Sequence, residues 1–246
     1  MSLQVPLIIT PKKKAVNIIE SSTTLEFNSS MSFSEINKRI ERLGKYIPHD
    51  VTVTLQFADG TYTVDEALNI IGFEGGGKIE IFGNASDNTR QLSKNVVFQV
   101  SGDTPNYILH ILSNVVGIYV KYIRFNRYSL TNPWRYASFF SWMCAGYGWV
   151  EYCSFDFSDA NHGRAVFVAG PSFFHVVQCY FRYAVVAVSA YHNAYITVSD
   201  SESDSSKPYH GLEANVFGKI RDTGSVHVQG SSQNHCTDLG GQIVTG

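Results

Sequence analysis

The sequence predicts an all-β chain, wound as a single right-handed parallel β-helix behind an N-terminal amphipathic capping helix. Three observations predict it: a short recurring pattern, a second apolar run that accompanies each copy, and turn residues between the runs. The pattern is an apolar residue, two variable residues, a small or apolar residue, one variable residue and often an aromatic. It reads Val120-Lys121-Tyr122-Ile123-Arg124-Phe125, then Val150-Glu151-Tyr152-Cys153-Ser154-Phe155, then Val176-Val177-Gln178-Cys179-Tyr180-Phe181. Val198-Ser199-Asp200-Ser201-Glu202-Ser203 is a degenerate copy, and the fourth positions step by 30, 26 and 22 residues. Ile81-Phe82-Gly83-Asn84 and Val228-Gln229-Gly230-Ser231 read as outlying copies.

A unit of this length with two or three short strands cannot bury its own apolar face. Coiling solves the problem, because each strand then pairs with its equivalent one coil along, roughly 4.8 Å away. Val120, Val150, Val176 and Val198 are expected to stack as one inward ladder. Ile123, Cys153, Cys179 and Ser201 are expected beside it. The second runs, Tyr107 to Leu112, Ala137 to Met143, Arg164 to Ala169 and Ala184 to Ser189, are short and rich in Val, Phe and Tyr. That is strand punctuation rather than helix periodicity.

Taken in order, residues 1–30 are expected to form an N-terminal arm and residues 31–246 one β-helix domain. Residues 32–46 suit a helix that covers the open sheet edge. Ser32 or Ser34 caps it, Glu35 favours its first turn, and Phe33, Ile36, Ile40 and Leu43 share a face. Gly44 ends it. Val51 to Phe57 alternates as a first strand and turns at Asp59-Gly60. From about residue 207 the chain thins into glycine-rich coils, with strand fragments at Ser225 to Gln229 and Gln242 to Thr245.

Composition narrows the partners. Hydrophobic residues make up 44% and charged residues 16%, which excludes a disordered chain. A net charge of −2 argues against nucleic acid, whose phosphates demand a basic surface. No apolar stretch is long enough for a membrane helix. The apolar start precedes Lys12, Lys13 and Lys14, the reverse of a secretory signal, so synthesis in a host cytoplasm without a signal peptide is expected. The four cysteines match no zinc spacing, and Cys153 and Cys179 read as small buried hydrophobes.

Phe57-Ala58-Asp59-Gly60-Thr61-Tyr62-Thr63, followed by Ile70-Ile71-Gly72-Phe73-Glu74-Gly75-Gly76-Gly77-Lys78-Ile79-Glu80-Ile81-Phe82-Gly83-Asn84, resembles a known family. These segments look like the pectate-lyase-like β-helix proteins of phage and prophage tail appendages. Gly218-Lys219-Ile220 and Gly240-Gly241-Gln242-Ile243-Val244 resemble the coils that end such proteins. The resemblance is good over residues 32–100 and elsewhere extends only to the repeat. It implies a virion protein released on host lysis, self-associating as a homo-oligomer such as a trimer, among other virion proteins. Its motifs are turn and packing motifs, so they transfer no active site.

Enzymes of this fold cut polysaccharides by two routes. Lyases use calcium held by several oxygens, and Asp200, Glu202 and Asp204 are the nearest candidate set, against a plain solvated turn. No other cofactor is expected, and calcium only in a lyase. Hydrolases need two carboxylates about 5–9.5 Å apart. Asp156 and Asp159, followed by His162 and Arg164, form the best local constellation, against a polar turn between coils. Aromatic residues give the more persistent signal. Tyr119, Tyr122, Trp149, Tyr152 and Tyr180 are expected outward, where rigid rings serve sugars or protein partners. Lys121, Arg124, Arg127 and Arg135 would add hydrogen bonds. The expected function is a structural and binding module contacting bacterial surface glycan, with a polysaccharide hydrolase or lyase as the alternative.

Overall fold

The computed structural model describes residues 17–128, 136–157, 163–203, 207–224 and 227–245. Within them the chain forms a single parallel β-solenoid of about eight turns. The strands sort into three sheets of nine, seven and six strands among the described residues. Every pairing between consecutive coils is parallel, as in Ile81 with Val120 and Val150 with both Val120 and Val176.

The expected valine ladder is present. Leu55, Ile81, Val120, Val150, Val176 and Val198 follow one another in register along the inner face of the nine-stranded sheet. The recurring pattern is the corner that joins this sheet to the six-stranded one. Its valine closes the first strand and its aromatic opens the next inner ladder, Tyr62, Phe98, Phe125, Phe155 and Phe181. Phe125, Phe155 and Phe181 stack nearly flat at centroid separations of 5.0 and 5.3 Å. Between valine and aromatic, Cys153 and Cys179 are free and buried. Burial pushes the Cys153 thiol up to about 12, so it behaves as an inert hydrophobe. The second apolar runs build the seven-stranded sheet, with strands at Tyr107–Leu112, Ala137–Trp142, Arg164–Ala169 and Val186–Tyr191.

The corners use residues in the left-handed region. At the corner inside the pattern these are Tyr122, Tyr152, Gln178 and Asp200, with φ between 48° and 63°. Such a conformation costs an ordinary residue about 1–2 kcal/mol. The ladder offsets it, because the corner N–H groups of Tyr152 and Gln178 still donate to Val177 O and Ser199 O of the next coil, at 3.1 and 3.0 Å. Inside, size is complementary from coil to coil. Gly148 sits in register between Ile118 and Phe174, and a Cβ there would lie 2.1 Å from the Phe174 ring.

The helix forms over Phe33–Glu41, shorter than residues 32–46. Ser32 is its N-cap, and a reciprocal bond joins the Ser32 backbone N–H to Glu35 Oε2 at 3.0 Å. Phe33, Ile36 and Ile40 are buried, and Asn37 bonds the backbone of Ala67 and Asn69. Gly44 lies where the chain crosses Asn17, whose carbonyl would meet a Cβ at 2.5 Å. The segment expected as an arm contains a strand, Thr23–Phe27, paired in register with Val53–Phe57. At the other end the strands are Lys219–Thr223, Gln233–Asp238 and Gln242–Thr245, and the last two are mostly exposed. The expected fragment at Ser225 to Gln229 is not a strand over its described residues. Among the described residues no helix is long and apolar enough to cross a membrane.

Truncating one ring of the phenylalanine stack leaves a void between two coils. Phe155→Ala should lower unfolding stability by about 3–5 kcal/mol. Urea denaturation should show an earlier midpoint, and an unchanged midpoint would contradict the stacked core.

Candidate functional site

On the outer face of the nine-stranded sheet, the residue before each ladder valine also stacks. Tyr119, Trp149 and His175 lie in register, with centroids 5.1 and 4.5 Å apart and planes within 9° and 20°. Coil spacing imposes this, since equivalent outward rings on adjacent coils have little choice but to lie face to face. Two residues earlier a second row runs Gly117, Tyr147, Phe173 and Tyr195. Tyr147 stands across the first row, at 87° to Trp149 and 82° to Tyr119, and is 52% exposed. Gly117 lets the rings close in, since a Cβ there would lie 3.3 Å from the Tyr119 ring and 3.8 Å from the Tyr147 ring. Phe173 stacks on Tyr195 at 5.2 Å and stands at 90° to His175.

Polar groups border the rings. Lys78 lies 5.4 Å from the Tyr119 ring centroid and 2.7 Å from Glu80 Oε1. On the other flank Lys121 and Glu151 pair at 2.5 Å. The imidazole of His175 also contacts the Thr197 hydroxyl. Burial, helped by the hydroxyl contact with Tyr147, pushes the Tyr119 phenol up to about 12, so it stays neutral.

The sequence-derived candidates divide accordingly. Tyr119 and Trp149 belong to the ring ladder, and Tyr122 stacks on Tyr152 at 5.8 Å on the adjoining corner. Tyr180 lies round that corner on the six-stranded sheet, between Ser154 and Glu202. Sequence reasoning did not place Tyr147, Phe173, His175 or Tyr195 in the binding set, although Tyr147 belongs to the aromatic-rich stretch it drew on. The signal was available, since Tyr119, Trp149 and His175 each precede a ladder valine by one residue. Arg124 is outward as expected. Arg127 is not: it points into the core between Val100 and Phe157, fully buried, and donates to Pro105 O at 2.7 Å. Alternation within its strand decides this, because Phe125 is inward and Arg127 follows two residues later. Arg135 lies outside the described residues.

The candidate catalytic set is dispersed. Asp159 and His162 lie outside the described residues. Asp156 is 3% exposed and held between Arg124, at 2.6 Å, and Arg182, at 3.5 Å. Arg164 is on the seven-stranded sheet, 3.3 Å from Glu213 and over the rings of Phe167 and Tyr191. The candidate calcium run is split by the corner. Asp200 is the left-handed turn residue, Ser201 is buried and Glu202 faces outward, while Asp204 lies outside the described residues. Among the described residues no group of three or more His, Cys, Asp or Glu side chains is placed to hold a metal.

Part of the six-stranded sheet's outer face is roofed by the connection over residues 84–95. Leu92 O accepts from Ser154 Oγ at 3.0 Å, and Arg90 Nη1 reaches Asp200 O at 3.0 Å. Lys94 ties the connection to itself through Asp87 O and Thr89 O. The ring-bearing face of the nine-stranded sheet lies outside these contacts.

No family model, curated protein or solved structure matches the chain. Fold and face therefore carry the functional reading.

Two measurements follow from the side chains described. Removing the Asp156 carboxylate leaves Arg124 and Arg182 facing each other half-buried, so Asp156→Ala should cost about 3–5 kcal/mol of stability by chemical denaturation. A variant as stable as the parent would mean that the pairing is not structural. Burial also holds His110, His175 and His210 below the ordinary imidazole value. A lowered folded value favours folding with the ring neutral. Its contribution is complete above about pH 6.5 and is lost as pH falls through the folded value. Unfolding free energy should fall between about pH 7 and about pH 5.5, and replacing all three histidines by glutamine should flatten the slope.

Proposed function

We propose that this chain is a binding module of a phage or prophage tail appendage, and that it engages an extended bacterial surface polysaccharide along the ring-bearing face. The observation that carries the reading is the pair of aromatic rows, Tyr119–Trp149–His175 beside Tyr147–Phe173–Tyr195, on one rigid sheet. Sugars present apolar C–H faces and polar edges, and an aromatic strip bordered by hydrogen-bonding groups suits both. Stacking within the ladder occupies the ring faces of Trp149 against its neighbours, so contact falls on exposed ring surface, above all Tyr147. Lys78, Lys121 and Glu151 supply donors and acceptors on either side.

A rigid β-solenoid fits attachment, because a linear polymer meets groups repeated at fixed intervals along one axis. The phage setting rests on the glycine-rich segments over residues 57–84. Association with further copies and with other virion proteins belongs to the same reading, with the exposed final coils as the region available for it.

Retention on purified bacterial envelope polysaccharides, or on a glycan array, tests the proposal. Tyr147→Ala should weaken retention about tenfold, equivalent to about 1.4 kcal/mol, with an unchanged circular dichroism spectrum. Trp149→Ala should weaken it further, since the ladder then loses its middle ring. Wild-type protein that is retained by no envelope polymer would overturn the proposal.

A further inference from the structure

The apolar core changes character in its last coil. The ladder that repeats valine at 120, 150, 176 and 198 continues in register to Asp222 and then Thr245. On the facing seven-stranded sheet, Val166, Val188 and Leu212 lead in register to His235. Asp222 is 1% exposed. Its Oδ2 lies 3.0 Å from His227 Nδ1, and its Oδ1 has no hydrogen-bond partner in the structure. Burial raises the Asp222 carboxyl above the usual carboxylate range, and His227 opposes that rise. A carboxylate in a slot that valine fills four times costs stability, so packing alone does not account for it.

Asp222 fixes the state of His227. A carboxylate only accepts, so Nδ1 of the neutral imidazole carries the hydrogen and Nε2 is left as an acceptor. The His227 side chain is 42% exposed and stands at the rim of a cavity of about 420 Å³. Asp222, His227, Gln229, Asn234, His235 and Thr245 line that cavity. Among the described residues the lining offers carboxylate, imidazole, amide and hydroxyl groups beside the apolar Val228, and Lys207 Nζ stands behind it, donating to Gln229 Oε1 at 2.7 Å.

We propose that this polar cavity, among the last described coils, is a binding site for one neutral, polyhydroxylated ring, a single sugar residue. An anion would meet the Asp222 carboxylate, and the nearest ammonium, Lys207 Nζ, is already committed to Gln229 Oε1 at 2.7 Å. An apolar ligand would cover the Gln229 and Asn234 amide N–H groups and the outer imidazole nitrogens without giving them partners. The described His and Asp groups are not placed to hold a metal. Vicinal hydroxyls, each both donor and acceptor, match the mixed lining, and the volume lies in the range of small-ligand sites. Asp222 acts as a positioning residue, and the ligand contacts fall to His227, Gln229, Asn234 and His235. The site stands on the cavity and does not rest on the ring-bearing face.

The test uses the full chain and four probes, glucose, galactose, mannose and N-acetylglucosamine, with the imidazole resonances of His227 and His235 followed by NMR. At least one probe should shift both histidines saturably. Asn234→Ala, at an exposed position, should weaken that binding about tenfold. Asp222→Asn should weaken it too while moving the His227 resonances in the free protein, where the amide replaces an obligatory acceptor. Trp149→Ala should leave it unchanged, which separates this site from the proposed polysaccharide face. The proposal is overturned if none of the four sugars gives a saturable shift, or if the shifts persist undiminished in both Asn234→Ala and Gln229→Ala.

Discussion

Parallel pairing between consecutive coils governs everything else in this molecule. Once Val150 is locked in register between Val120 and Val176, each neighbouring residue must also sit opposite its equivalent. Side chains then repeat along the axis at close to one strand spacing, inside and outside alike. Inside, this turns three separate phenylalanines into a flat stack. Outside, it turns Tyr119, Trp149 and His175 into another. The same register lets tyrosine and glutamine occupy left-handed corners, because the N–H groups of Tyr122, Tyr152 and Gln178 donate into an existing ladder.

The outer surface is unequal as a result. One sheet carries a ring-rich face bordered by ion pairs. The second is partly roofed by the connection over residues 84–95. The third carries rings of its own, Tyr107, His110, Phe140 and Phe167, which run into the network of Arg164, Glu213 and Tyr191. Charges on the two latter faces are engaged with one another: Asp156 between two arginines, Glu213 with Arg164 and Ser189. Such pairing holds those side chains in a fixed arrangement. Aromatic edges on the first sheet remain available for contact.

Much of the fold was legible in the sequence, and for a definite reason. A repeat whose positions must stack leaves a chemical imprint wherever the interior is tight, and Val120, Val150, Val176 and Val198 carry it openly. Cys153 and Cys179 carry it too, since only modest side chains fit there. The third sheet was harder to see, because the recurring pattern straddles a corner and reads as one strand. The strands at Lys219–Thr223 and Gln233–Asp238 left little trace, since the last coils are exposed and tolerate polar residues. For the face, the tyrosines and tryptophan were legible, but not that their rings stack on one another. Arg127 was misjudged because a charged residue was assumed to face outward, whereas strand alternation places it inside. Asp156 and Arg164 are close in sequence, yet the corner sends them to different sheets.

The contact between Arg90 and Asp200 joins residues 110 positions apart. Counted through the register from Phe82 to Lys121, Glu151, Val177 and Ser199, it spans four coil steps. A solenoid held only by neighbours can peel from either end, one coil at a time, with each coil surviving on its own local balance. A clasp thrown across four coils changes that behaviour. Fraying that starts at the exposed C-terminal coils reaches Asp200 and must then break the clasp before it advances. The coils between the two anchor points are thereby encouraged to melt together rather than in sequence, a cooperativity supplied by a loop instead of by the stack.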